Sequence, residues 1–297
     1  MPLLHLHGRT YDIDLIAFDK DGTLLDFDHM WGNLFDDWLG KLATATGASP
    51  ELRQRLNETV GCNPATRGVV ADSPLAVATL SKIQVACMTV LYQHGRTWHE
   101  AEQLVSAVAA QAETTITADL VRPLGDVAGT FAHLRAQGFR LALITSDDRA
   151  LTEATLPLLG IEQLVEILVC GDDPIPNKPA PDGLWHIGRV LGVAPHRMAM
   201  VGDTASDMVC GRAAGVGLCV GIAGGAGDAL KLAQTADVVL GSVAELGSVK
   251  DKQIVATCVS PRLSCKPTGA AEGAPCSPYP ATAVVEGTTP APRATKS

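Results

Sequence analysis

The chain has 297 residues, 46% of them apolar, enough to bury one large or two moderate hydrophobic cores. Its formal charge of −9, with Lys and Arg scattered along the chain, argues against a nucleic-acid partner and would repel a phosphate ester unless a divalent cation reversed the local field. His5, His7, Arg9, Asp12 and Asp14 break up any signal-peptide core in residues 1–18, and no stretch approaches the roughly 18 apolar residues of a membrane span, so a cytoplasmic protein without a membrane partner is expected.

The first expected strand is Leu15, Ile16, Ala17 and Phe18, followed directly by Asp19, Lys20, Asp21, Gly22 and Thr23. No comparable strand pattern returns before Phe139. Instead the segments 29–46, 50–60, 74–93, 97–116 and 124–137 read as helices, the fourth opening near Thr97 with Glu100 three residues on, which is the capping-box spacing. The last of these leads into the second strand, so 27–122 reads as a helical insertion.

From 139 onward, apolar runs at 139–144, 165–170, 197–201, 217–220 and 237–240 alternate with helix-like segments at 149–159, 181–191, 205–214 and 228–234. That alternation predicts an α/β fold, a doubly wound parallel sheet with right-handed crossovers, built from 1–26 and 123–249. Beyond about 250 the chain turns to Pro, Ala, Thr, Ser and Gly without apolar periodicity, and 250–297 reads as a disordered tail. The eight cysteines include no Cys-x-x-Cys pair and no His at zinc spacing, so they read as buried or incidental thiols.

The chemistry lies at the strand ends, where ligands bind in open parallel sheets. Asp19 and Asp21 follow the first strand, and Asp203 and Asp207 follow the run Met198, Ala199, Met200 and Val201. Four carboxylates at the ends of two distant strands can converge on one hard cation, which makes magnesium the expected cofactor and phosphoryl transfer the expected chemistry. Asp19 is the candidate nucleophile, since a carboxylate can attack phosphorus and divide hydrolysis into two easier displacements. Thr145 and Ser146 end the strand at 139–144 and are candidate phosphoryl-oxygen donors; the other reading of Thr145 is a local cap. Lys178, fixed among Pro176, Pro179 and Pro181, would neutralise phosphoryl charge and keep Asp19 ionised. Asp203 is the better metal ligand of its pair, and Asp207, one turn later, also suits a helix N-terminus. Asp147, Asp148, Asp172 and Asp173 read as solvated loop charges, either pair of which could still touch the metal's water shell. Arg67, in the helical insertion, is a candidate anion contact.

These four elements, in this order, resemble the four motifs of the haloacid dehalogenase-like hydrolase superfamily, and specifically its phosphoglycolate phosphatase-like branch, with a helical cap between motifs one and two. The resemblance implies a Rossmann-like core, a mobile cap over the site, a general acid/base role for Asp21, and metal ligation by the Asp21 backbone carbonyl. It also implies hydrolysis of a small phosphate monoester, phosphoglycolate-like or a sugar phosphate, because dehalogenases and phosphonate hydrolases lack an acid at the position of Asp21. Lys20 departs from the hydrophobic or aromatic residue more usual there. Two alternatives share these residues: a phosphosugar mutase that returns the phosphoryl group to its substrate, and a catalytically silent protein that binds a partner in the cap groove.

Overall fold

The structure, a computed structural model, describes residues 2–111, 116–225 and 227–247. The expected tail at 250–297 lies outside them. The chain opens with an antiparallel hairpin, β1 (Leu4–Leu6) and β2 (Arg9–Tyr11), and then enters β3 (Leu15–Phe18). A π-helical turn (Asp28–Gly32) leads into α1 (Asn33–Thr46), α2 (Pro50–Val60), α3 (Pro74–Val77), α4 (Leu80–Gln93) and α5 (Trp98–Gln111). The α/β alternation follows as α6 (Val127–Ala136), β4 (Arg140–Ile144), α7 (Arg149–Leu159), β5 (Ile167–Val169), α8 (Asp182–Leu191), β6 (Met198–Gly202), α9 (Ala205–Ala214), β7 (Leu218–Ile222), α10 (Ala229–Thr235) and β8 (Val238–Leu240).

Strands β3 to β8 form one parallel sheet in the order β5-β4-β3-β6-β7-β8. Successive side chains on a strand point to opposite faces, and the sheet divides accordingly. Ile16, Phe18, Leu141, Leu143 and Val201 belong to one apolar cluster, whereas Leu15, Ala17, Ala142, Ile144 and Met200 belong to another. Helices α6 and α7 cover the first face through Phe131, Leu134 and Leu156, and α8 and α9 cover the second through Leu184, Ile187 and Met208. Burial on both faces explains why these strands read as continuous apolar runs. The first cluster runs on without a break into the helical insertion, through Trp31, Leu39 and Val105.

One expectation needs correction, and one element was not foreseen. The segment 74–93 is not one helix: Ala78 is extended, with ψ 156°, and α4 restarts after Thr79. No Gly or Pro marks that break. The hairpin β1–β2 carried too short an alternation to register as strands. The capping box at Thr97 does form, with the Thr97 amide donating to Glu100 at 2.8 Å and the Glu100 amide to Thr97 Oγ1 at 3.3 Å.

Candidate active site

The sheet order places β3 between β4 and β6, where the winding direction reverses and a crevice opens beyond the strand ends. Phe18 is level with Leu143 and Val201, so Asp19, Thr145 and Asp203 reach the same edge within about one residue of one another. The Asp19 amide donates to the Val201 carbonyl at 2.8 Å and anchors the turn to β6.

Lys178 Nζ sits 2.5 Å from Asp19 Oδ1 and 2.6 Å from Asp207 Oδ1. Thr23 Oγ1 donates to Asp203 Oδ1 at 3.1 Å and to Asp19 Oδ2 at 3.4 Å. Carboxylate oxygens of Asp19, Asp203 and Asp207 all lie within 4.8 Å of one another, an all-oxygen donor set that suits a hard divalent cation. The helix N-terminus reading of Asp207 is what the structure shows, with an ion pair to Lys178 beside it. Its Oδ2 accepts from the Thr204 amide and hydroxyl at the start of α9, while Oδ1 holds Lys178.

Burial pushes the Asp19 carboxyl up to about 7 in the metal-free protein, with Lys178 pulling against it. Burial also disfavours the Lys178 ammonium, but Asp19 and Asp207 outweigh it and its pKa lies above the ordinary lysine value. A divalent cation in the carboxylate set would add the charge that Asp19 needs to stay ionised at neutral pH.

Asp21 stands apart from that set. Its Oδ1 accepts from Trp31 Nε1 at 2.8 Å and from Lys20 Nζ at 2.8 Å. Lys20, fully buried, also lies 2.9 Å from Asp147 Oδ2 and 6.0 Å from the centre of the Trp31 ring. Asp147 is therefore not a solvated loop charge but the buried second partner of Lys20. Burial pushes its carboxyl up to about 6, with Lys20 opposing. Asp173 is likewise engaged, pairing with Arg149 at 2.7 Å, and Asp172 accepts the Arg149 amide.

Thr145 Oγ1 accepts the Asp147 amide at 3.1 Å, the local-cap reading, while its side chain still lines the cleft together with Ser146. The cleft lies between this polar floor and an apolar wall that includes Phe27, Trp31, Phe35, Val77 and Ile83. Arg67 is not brought to it. Its guanidinium is exposed, donating to Asn33 Oδ1 at 2.6 Å and lying 3.6 Å from Asp36.

Sequence reasoning missed Lys20, Thr23, Trp31, Asp147 and Gly225 as parts of the site. Gly225 follows β7 and closes against Asp203: a Cβ there would lie 2.2 Å from Asp203 Oδ2 and 2.4 Å from the Gly22 carbonyl. A buried lysine between two aspartates was the available signal for Lys20, but nothing local pairs residue 20 with residue 147. The described cysteines offer no rival nucleophile; they are buried, and burial raises Cys170 and Cys219 to about 11 and Cys87 and Cys210 to about 12.

A model of the haloacid dehalogenase-like hydrolase family matches residues 13–215. The chain belongs to this family. Within it, the likeness runs to the phosphoglycolate phosphatase-like branch. The chain is 40% identical to the plasmid phosphoglycolate phosphatase of Cupriavidus necator over 115 residues, 39% of this chain and 50% of that one. It is 35% identical to the phosphoglycolate phosphatase of Escherichia coli K12 over 123 residues, 40% of this chain and 48% of that one. The chain thus spans about half the length of the curated relatives it matches. In fold it resembles a predicted phosphoglycolate phosphatase from Haemophilus somnus, at TM-score 0.54 and 20% identity, covering 79% of this chain and 96% of that one. A haloacid dehalogenase-like hydrolase from Bacteroides fragilis gives TM-score 0.56 at 20% identity, covering 79% and 99%. Among the described residues no helix is long and apolar enough to cross a membrane.

Proposed function

We propose that the protein is a magnesium-dependent phosphatase that hydrolyses small phosphate monoesters in the cytoplasm through an aspartyl-phosphate on Asp19. The observation that carries this reading is the convergence of Asp19, Asp203 and Asp207 at the switch point of the sheet, with Lys178 paired to Asp19 and Asp207. The carboxylates of Asp19, Asp203 and Asp207, with the backbone carbonyl of Asp21, would hold the ion. When bound, magnesium would neutralise charge on the phosphoryl group and on the carboxylates.

Asp19 attacks phosphorus, forming an O–P bond as the bond to the leaving alcohol breaks. Asp21 delivers a proton to that leaving oxygen, then takes one from the water that attacks the aspartyl-phosphate, freeing inorganic phosphate and restoring Asp19. The contacts from Lys20 and Trp31 to Asp21 Oδ1 support this division, because they orient the Asp21 carboxyl apart from the Asp19, Asp203 and Asp207 set. Lys178 and the Thr145 hydroxyl, with backbone amides near Ser146, would stabilise the phosphoryl oxygens. The helical insertion, 27–122, acts as the cap over this chemistry. Phosphoglycolate and sugar phosphates are the first esters to test.

Asp19→Asn is expected to abolish turnover of every ester, because no amide replaces the nucleophile. Asp21→Asn is expected to keep more first-step activity on an aryl than on an alkyl phosphate and to accumulate the aspartyl-phosphate. Rapid-quench detection of the intermediate checks both. Equal losses on both esters with no intermediate would overturn the division of roles, and isomerisation of a sugar phosphate without phosphate release would identify a mutase.

A further inference from the structure

The cleft is divided by chemistry as well as by position. Its polar lining comes from the ends of β3 and β4, from the loop bearing Lys178 and from the start of α9; the facing wall is built from Phe27, Trp31, Phe35, Val77, Leu80 and Ile83. Among the described residues, no side chain on that wall is charged. Its one polar side-chain atom, Trp31 Nε1, is already donated to Asp21.

The site's own cations are also committed. Lys178 is shared between Asp19 and Asp207, and Lys20 between Asp21 and Asp147. Arg67, the anion contact expected from the sequence, is exposed and turned to Asn33 and Asp36. A second cleft shares Trp31, Phe35, Leu80 and Ile83 with the first, and its charged groups, Asp37 and Lys41, pair with each other at 2.8 Å. The short helix α3 is too brief to offer its N-terminus to an anion. A leaving group that carried a carboxylate would therefore lose its water against an apolar wall whose described side chains offer it no charged partner. An apolar leaving group would gain from the same burial.

We propose that the ester this site is built for has an uncharged, apolar leaving group, an aliphatic or aromatic alcohol, rather than a carboxylate-bearing one such as glycolate. The proposal rests on the phosphatase reading above and narrows it. Specificity then comes from the wall, with Val77, Leu80 and Ile83 as the residues that select the alcohol.

The test is kcat/KM for phosphate release, with magnesium, from ethyl, butyl and hexyl phosphate and from phosphoglycolate. The three alkyl leaving groups are of like basicity, so differences among them report burial rather than chemistry. Each added methylene is expected to raise kcat/KM by about threefold until the cleft is filled, with phosphoglycolate at least tenfold below butyl phosphate. Val77→Lys, at a half-buried position, is expected to lower the hexyl value and raise the phosphoglycolate value about tenfold; its folding is checked by thermal unfolding, and the wild-type series decides alone if the variant misfolds. A flat alkyl series, or phosphoglycolate as the best substrate of the wild type, overturns the proposal and leaves the phosphatase standing. Failure of every ester, including an activated p-nitrophenyl phosphate, removes both.

Discussion

Lys20 carries more of this site than its place in the sequence suggests. A fully buried ammonium touching Asp21 at 2.8 Å and Asp147 at 2.9 Å holds two carboxylates that would otherwise repel each other in a low-dielectric setting. Lys20→Met should lower stability by about 3–5 kcal/mol, because it leaves uncompensated buried charge, and Asp147→Asn in the same chain should restore part of the loss. Urea denaturation of the single and double variants measures the coupling. The Asp147 carboxyl, raised by burial to about 6, has a stability signature of its own. An unfolded aspartate titrates near about 4, so between about pH 4 and 6 the folded chain binds more protons than the unfolded one. The contribution of this group is thus greatest at low pH and is lost as pH rises through that window. Asp147→Asn does not titrate, and in metal-free protein its stability relative to wild type should rise by about 2 kcal/mol between pH 4 and pH 7. A difference independent of pH would show that Lys20 keeps Asp147 ionised throughout.

Among the elements, β6 and α9 bind fold and site most tightly. Gly202 ends β6 where a Cβ would lie 2.4 Å from Asp207 Cγ, so only glycine allows the first turn of α9 to close against the strand. Gly202→Ala should push Asp207 off Lys178 and lower kcat by about 100-fold while leaving the chain folded. Circular dichroism beside steady-state kinetics separates the two effects, and full activity in that variant would mean that Asp207 is not needed at Lys178. These elements were also the most legible in the sequence. The expected helices at 149–159 and 205–214 coincide with α7 and α9, and the expected strands lie within a few residues of those observed, because long apolar runs and caps are local signals. The site was legible where a motif holds its residues together, as with Asp19 and Asp21, and at Asp203, Asp207 and Lys178. It was illegible where the partner comes from elsewhere in the chain. Trp31 reaches Asp21 across ten residues and Asp147 reaches Lys20 from another strand, so both looked like ordinary core or loop residues.

At the scale of the molecule, folding and ion binding are linked through the same carboxylates. A cation that binds the folded chain alone at a hundred times its dissociation constant adds about 2.7 kcal/mol, which for a body of this size raises Tm by roughly 5–10 °C. Magnesium should produce that shift in the wild type and much less in Asp203→Ala, as read by differential scanning fluorimetry. Equal shifts in both would move the ion away from this cluster. The strand order has a consequence for how the protein is made. Strand β3 is synthesised before both of its neighbours, and β4 and β6, which flank it, follow only about 125 and 180 residues later. At about 5–20 residues per second, the apolar edges of β3 would wait roughly ten to forty seconds for the second neighbour. During that interval both flanks present unpaired backbone and apolar surface, the features that recruit holding chaperones and seed aggregation. A shortage of such chaperones should therefore lower the yield of soluble chain more than it lowers the activity of the molecules that fold.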